Sequence, residues 1–389
     1  MEIVKEWNWW SLLLYVIVAI VTAICFRQSV IAKKKESIIK IFKYKLKTKY
    51  IYYFIIFWIF VMFSSFRYIG QNVGGTDTNT YIDYFNAVKY IKFDIKETIR
   101  LNSYEYLFYN TMFLVKILGG TYRTFLIIVN ALMISCIIYY VDKEVDEENK
   151  CIWFILAYLP LLKSFNIVRN CISALLGCVA LSFLSKNKIR CSIILAMLAY
   201  LNHYIAILLF IAIIFYKYFP NEFLENRKKI VILNIICIIV PVICFPLMKI
   251  IMANTGYANY VNRIQISLWG YIPYFIVYIL MIFTPGFKDY LKRCNHYGYY
   301  KIIYFLSLVL PTFIAINAAY RVLLFFDLPM ILLLGDLTEY YKKYISNKYV
   351  KFYCFGVIII VLAYYIFRIY RMWYSSGIMP YYNILFMQT

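Results

Sequence analysis

Long apolar runs closed by short basic stretches repeat along the whole chain. They fall at about Trp9–Phe26, Tyr50–Phe66, Thr124–Val141, Ile230–Ala253, Tyr271–Thr284, Ile302–Ile316, Val322–Leu334 and Phe352–Phe367, with two more flanking a polar turn at Ser164–Asn170. A helix needs about 20 apolar residues to cross a bilayer, and within lipid only helices and closed barrels satisfy their own backbone. The runs are of helix length, and the alternation of barrel strands does not occur. The pattern predicts an all-α integral membrane protein with about 11–12 transmembrane or re-entrant helices. It forms a single polytopic domain over 1–389. Trp9–Phe26 has no small-residue cleavage site behind it, so a span is expected there rather than a cleaved leader.

Basic residues orient the spans, because loops on the cytoplasmic side collect Lys and Arg. The stretch after the first span carries Arg27, Lys33, Lys34, Lys35, Lys40, Lys43, Lys45, Lys47 and Lys49 against Glu36. It is expected inside, and the second span then delivers Arg67 to the outer face. Residues 70–123 are expected to stay outside. They include an amphipathic surface helix, with Tyr81, Tyr84, Phe85, Val88 and Ile91 at helical spacing. They also include an apolar stretch, Tyr106–Leu118, too short to cross and expected to be re-entrant. Between Cys191 and Tyr216 both flanks are basic, and Asn202-His203 interrupts an otherwise apolar run. Two half-helices meeting at Asn202-His203 keep both flanks inside, and a broken helix is tolerated where it lines a cavity. The loops with Arg169, Arg263 and Arg321 then fall outside, and Asp327 falls within a span. Arg368, Arg371 and Pro380-Tyr381-Tyr382 fall in an outer tail.

Composition changes this picture little. Apolar residues make up 64% of the 389, well above a soluble domain. The net charge of +22 sits in short loops between spans, which is a topology signal and argues against nucleic acid. Ten cysteines are scattered with no CxxC pair, so neither a disulfide frame nor a metal site is expected. The 42 tyrosines suit interfacial belts.

The outer face thus gathers Arg67, Asp77, Glu105, Arg169, His203, Arg263 and Arg321. Charge at membrane depth is costly and usually faces a cavity or a partner. Arginine's planar fork suits phosphate, and a lipid-linked diphosphate is the anion best matched to this position. The carboxylates and His203 are candidate bases or acceptors for sugar hydroxyls. Each residue also has a plainer reading. The arginines can anchor at headgroups. Asp77 can cap the helix after Gly74-Gly75-Thr76, and Glu105 can serve a helix dipole. Asp327 can pair with an arginine. His296, in a basic inner loop, reads as incidental.

Taken together, the motifs resemble the EpsG-like family, the Wzy-type polymerases of bacterial exopolysaccharide, capsule and O-antigen. The residues carrying the resemblance are Ser64-Ser65-Phe66-Arg67-Tyr68, Gly75-Thr76-Asp77 with Tyr81, Glu105-Tyr106, Asn166-Ile167-Val168-Arg169-Asn170-Cys171-Ile172-Ser173, His203-Tyr204-Ile205-Ala206, Tyr320-Arg321 and Pro380-Tyr381. The chain departs from the family pattern in lacking the proline after Glu105, and in having Asn170, Ser173 and Ile205 where the family has glutamine, alanine and serine. The resemblance implies a glycosyltransferase of the bacterial inner membrane that needs no metal or cofactor. It would join undecaprenyl-diphosphate-linked oligosaccharide repeat units on the outer face. On this reading the architecture is GT-C-like and the transfer inverting. Arg67, Arg169 and Arg321 hold the donor diphosphate. Asp77 is the first candidate for the base, His203 the second and Glu105 the third. Beyond the bilayer and the lipid-linked oligosaccharides, the resemblance leaves room for a chain-length regulator as a partner. Rival readings are a flippase of the same lipid-linked unit, an O-antigen ligase and an O-acetyltransferase. The flippase is disfavoured because no internal repeat is found.

Overall fold

A computed structural model describes residues 6–41, 44–70, 73–75, 77–92, 105–226, 228–239, 250, 272–315 and 319–385. The loop expected at Asn254–Gly270, with Arg263, lies outside these residues, as does much of the span expected at Ile230–Ala253.

Helix α1 spans Trp9–Lys34 and opens on Asn8, whose side chain accepts the Ser11 N–H at 2.8 Å. It runs two turns past the expected end at Phe26. Lys33 and Lys34 suit its C-terminal dipole, and Lys34 pairs with Glu147 and Glu148 at 2.7 and 3.0 Å. The rest of the basic segment forms an antiparallel hairpin, β1 (Ile38–Ile41) with β2 (Tyr44–Lys47). Helix α2 (Lys49–Ser65) returns along α1. Then come α3 (Thr78–Ala87), α4 (Tyr106–Ile117) and α5 (Tyr122–Glu144). Helix α3 is the expected surface helix, and it buries Tyr81 and Phe85 while Tyr84 stays exposed. Helix α4 is the expected short apolar helix.

The path back is broken into a 3₁₀ segment, Glu148–Ile155, and a short α6, Tyr158–Lys163. Helix α7 (Val168–Ser185) runs through the centre of the bundle and is almost wholly buried. Its Gly177 admits the Phe325 ring, since a Cβ there would stand 2.5 Å from Phe325 Cδ1. Helices α8 (Ile189–Asn202) and α9 (Ile207–Tyr218) form a hairpin. Its two ends meet the same end of the bundle. Tyr216 Oη donates to Ser185 O at 3.2 Å, and Lys301 Nζ donates to Phe219 O at 2.7 Å. The run therefore turns back at His203, whose backbone is extended (φ −160°, ψ 123°) and ends α8.

A short α10 (Asn221–Glu225) precedes α11 (Ile272–Phe283) and α12 (Phe287–Arg293). The last two meet at 90°, with the bend at Gly286 (φ 71°). The remaining helices are α13 (Tyr297–Ala315), α14 (Ala319–Leu323), α15 (Asp327–Tyr344) and α16 (Asn347–Ser376). Arg368, expected in a tail, lies inside α16, because the helix continues well past Phe367.

The fold is that of an all-α polytopic membrane protein. Among the described residues α1, α5, α7 and α16 are long and apolar enough to cross a membrane, and the bent α11–α12 pair would make a fifth. Shorter apolar helices, α2, α8 and the segment from Tyr204 to Tyr218, stand beside these, and the α8–α9 pair is the broken run expected at Asn202-His203.

At the basic end a buried cluster ties the elements together. Lys150 Nζ sits 2.5 Å from both Asp146 Oδ1 and Asp336 Oδ1, and His296 Nδ1 lies 2.7 Å from Asp336 Oδ2. Asp336 is fully buried. His296, expected to be incidental, instead bridges the start of α13 to α15.

Candidate functional site

The opposite end is organised by the loop from Arg67 to Asp77. Gly74 and Gly75 hold left-handed backbone at φ 78° and 118°. A Cβ on Gly75 would lie 1.7 Å from Phe165 O, so only glycine lets this loop press against the 164–167 turn. Thr78 Oγ1 donates to Phe165 O at 2.7 Å, and Asn166 Oδ1 accepts the Asp77 N–H at 2.7 Å. The C-terminal segment closes the other side. Tyr68 N–H donates to Tyr382 O at 2.7 Å, and Gly74 N–H to Gly377 O at 2.9 Å. Tyr381 stacks on Phe63 with ring centroids 4.4 Å apart.

Arg67 holds this loop from within. It is 1% exposed. Its Nε donates to Gly74 O at 2.8 Å, Nη1 to Ser64 O and Nη2 to Phe165 O at 3.4 Å, and its guanidinium lies 4.3 Å from the Phe165 ring centre. Burial pushes its pKa down to about 10. A fork spent on three carbonyls does not face a ligand. The expectation that Arg67 clamps a diphosphate is therefore corrected to a loop-building role.

Next to the loop, three of the expected residues meet. Glu105 stands at the N-terminal cap of α4 but makes no capping bond. One carboxylate oxygen takes Arg169 Nη1 and the other faces His203 Nδ1. Both oxygens are engaged and Glu105 is 3% exposed, so it is a poor base and a good anchor. This corrects its place as third candidate base. Helix α4 brings Glu105, the first turn of α7 brings Arg169, and the α8–α9 break brings His203. Facing a carboxylate, the imidazole carries its proton on Nδ1 when neutral, which leaves the lone pair on Nε2. Among the described residues Nε2 has no hydrogen-bond partner.

Arg169 is the open member of the cluster, with its side chain 27% exposed. Nη1 also reaches Tyr109 Oη at 3.1 Å, and the guanidinium lies 5.5 Å from the Tyr81 ring centre. Asp77 is exposed at the head of α3 and does not cap it. The surrounding protein lifts its carboxyl above the ordinary range, and the nearby charges of Arg169 and Arg321 oppose that rise. Arg321, half-buried on α14, lies with its guanidinium against the Tyr320 ring and bonds the Tyr320 hydroxyl at 2.8 Å. Asp77, Glu105, Arg169, His203 and Arg321 thus share one end of the bundle, with Arg169 central.

One supporting residue escapes the sequence reading, Tyr109, although it lies one helical turn after Glu105 and spacing from that charge could have found it. Asn166, read only as part of the motif around Arg169, acquires a role as the acceptor for the Asp77 N–H. Asp327, read as a partner for an arginine, accepts the Tyr274 hydroxyl at 2.7 Å and lies near Arg368 without a close ion pair to it. Among the described residues no group of three or more His, Cys, Asp or Glu is set to hold a metal ion.

No curated protein and no solved structure matches the chain. The EpsG family model matches residues 50–383, which takes in the loop, the Arg169–Glu105–His203 cluster and the closing C-terminal segment, and the chain accordingly belongs to the EpsG family, a membrane protein of polysaccharide biosynthesis.

Proposed function

We propose that the chain polymerises polyprenyl-diphosphate-linked oligosaccharide repeat units by inverting glycosyl transfer, at the membrane face that carries Asp77. The observation that carries this reading is the single carboxylate, Glu105, holding both Arg169 and His203 beside an exposed Asp77. An arginine fixed by a buried carboxylate keeps its remaining donors aimed, and fixed donors are what a developing diphosphate charge requires. Arg169 and Arg321 hold the donor diphosphate. Asp77 takes the proton from the acceptor hydroxyl, whose oxygen attacks the anomeric carbon as the bond to the diphosphate breaks. The diphosphate leaves on its lipid, its charge held by the two arginines. A donor diphosphate on the same arginines would raise the Asp77 pKa further and make it a stronger base. The unpartnered Nε2 favours His203 as a second candidate for the same proton. Undecaprenyl as the lipid, the outer face of the inner membrane as the location and the GT-C-like architecture belong to this proposal.

The test is a gel of lipid-linked glycan from a host lacking the gene. A single repeat unit on its lipid, turned into a ladder when the wild-type gene returns, is the expected result. A precursor trapped on the inner face, with no unit at the surface, overturns the polymerase in favour of a flippase. Asp77→Asn should keep the single unit and lose the ladder, with transfer down about 10²–10⁴-fold. Full-length polymer from Asp77→Asn, together with none from His203→Gln, would move the base to the histidine.

A further inference from the structure

The turn at Ser164–Ile167 has a second face. Lys163 begins this turn, its carbonyl accepting the N–H groups of Asn166 and Ile167 at 3.0 and 2.9 Å. Its side chain enters a cavity of about 50 Å³ between α6, α11, α15 and α16. Arg368 of α16 and Asp327 of α15 line the same cavity, with Tyr274 and Tyr364. Below them the walls are apolar: Leu159, Val277, Ile331 and Leu334.

The carboxylate of Asp327 lies near both cations of this cavity but makes no close ion pair with either. Asp327 takes the Tyr274 hydroxyl, and neither Lys163 nor Arg368 comes within 4.0 Å of a described carboxylate oxygen. Arg368 Nη1 bonds the Tyr364 hydroxyl at 2.8 Å. Among the described residues Lys163 Nζ has no hydrogen-bond partner. Two cations against one carboxylate leave a surplus of positive charge at membrane depth, and such charge is retained where an anion or an aqueous path needs it. A cavity of this volume exceeds a single water site, and it is far smaller than a sugar pocket. A phosphoryl group above an apolar wall fits this combination, with two cations for its oxygens and hydrocarbon for an attached tail.

We propose that this cavity is a second phosphate site, in which Lys163 and Arg368 hold the polyprenyl-linked phosphate of the acceptor substrate while Arg169 and Arg321 hold that of the donor. This rests on the polymerase reading, which requires two lipid-linked substrates at once. The two sites flank one turn: Lys163 starts it, and Asn166 within it holds Asp77. An acceptor anchored at Lys163 would bring its sugar across that turn to Asp77.

The test is equilibrium binding of farnesyl diphosphate to the full chain in detergent. Wild type should bind two equivalents. Lys163→Gln with Arg368→Gln should weaken one site at least tenfold and leave the other, which Arg169→Gln should weaken instead. One equivalent on wild type overturns the proposal without any variant. So does retention of both sites by a double variant that elutes as a folded monodisperse species. Should that variant fail to fold, Tyr364→Phe, which removes only the hydroxyl beside Arg368, should still weaken one of two sites. Inorganic pyrophosphate should bind the Lys163 site at least tenfold more weakly than farnesyl diphosphate, and equal binding would rule out a lipid-linked ligand. A chain that binds two equivalents, one of them dependent on Lys163 and Arg368, yet makes no ladder on the gel leaves this site standing and overturns the polymerase.

Discussion

At each end of the bundle a histidine Nδ1 faces a buried carboxylate that also holds a cation. At one end the parts are His203, Glu105 and Arg169; at the other they are His296, Asp336 and Lys150. The difference lies in access. The Lys150 side chain is 1% exposed and the Asp336 side chain 0%, and the ammonium is consumed by Asp336 and Asp146. The Arg169 side chain is 27% exposed, beside an exposed Asp77 and a half-buried Arg321. A point charge shut among carboxylates fixes helices to one another. A planar fork anchored at one corner and open elsewhere can still receive a ligand. On the function proposed here, the same pairing chemistry is structural where it is closed and serves the ligand where it is open.

The most direct way to break this comparison is to neutralise the carboxylate at each end. Glu105→Gln frees His203 and Arg169 together, and polymer formation should fall by about 10³-fold or more, since a misoriented imidazole alone can cost about 10⁴. Asp336→Asn leaves the buried Lys150 with Asp146 as its one carboxylate and should cost about 1.5–3 kcal/mol of stability. Its folded fraction should keep its transfer rate within a few-fold. Polymer yield per folded protein, measured for both, decides the matter. Equal losses of specific activity at the two ends would end the distinction.

Arg169→Lys comes next. Lysine keeps the charge and the ion pair with Glu105, but it cannot offer a second pair of donors. Transfer should drop about 10²–10³-fold, the scale of losing one fixed donor to a developing anion. The thermal midpoint should barely move. A lysine variant as active as wild type would show that Arg169, like Lys150, acts through charge alone.

Much of this site is legible in the sequence because its parts are polar interruptions in apolar runs. Asp77, Glu105, Arg169 and His203 each sit at the end of an apolar or amphipathic helix, and the basic loops that orient the spans place all four on one face. The turn at His203 follows from basic flanks on both sides of one run. Other features depend on tertiary partners that no local pattern encodes. Arg67 stands at a span end like Arg169, but the carbonyls that consume its donors come from Gly74 and from Phe165, far along the chain. His296 sits among lysines, and its partner Asp336 is a full helix away. The β1–β2 hairpin hides in a stretch whose charge dominates its pattern, although Lys45 and Lys47 already alternate with apolar residues. Arg368 looks like tail because the hydropathy falls before α16 ends.

Arg67 supplies a third and smaller contrast. If it builds the loop and does not bind substrate, Arg67→Lys should cost stability ahead of chemistry. Losing charge-assisted bonds to buried carbonyls should lower stability by about 2–4 kcal/mol. The specific activity of protein that still folds should fall less than tenfold, an order of magnitude less than for Arg169→Lys. A larger fall in specific activity, with the melting midpoint unchanged, would return Arg67 to the ligand.

The smallest effect is expected from the histidine at the closed end. His296 lies 2.7 Å from Asp336, and asparagine can offer that carboxylate an N–H of similar reach. His296→Asn should therefore change stability by about 1 kcal/mol and leave transfer unaffected, because Lys150 still neutralises Asp336. The matching His203→Asn variant keeps a donor for Glu105 but loses the aromatic nitrogen on the far side of the ring. Its transfer should fall about tenfold if the imidazole only steadies Arg169, and by 10² or more if Nε2 takes the proton. Assaying both variants side by side, as polymer made per folded chain, separates the two histidines. Equal, small effects from both would mean that His203 belongs to the packing of the bundle, as His296 does, and that Asp77 works without it.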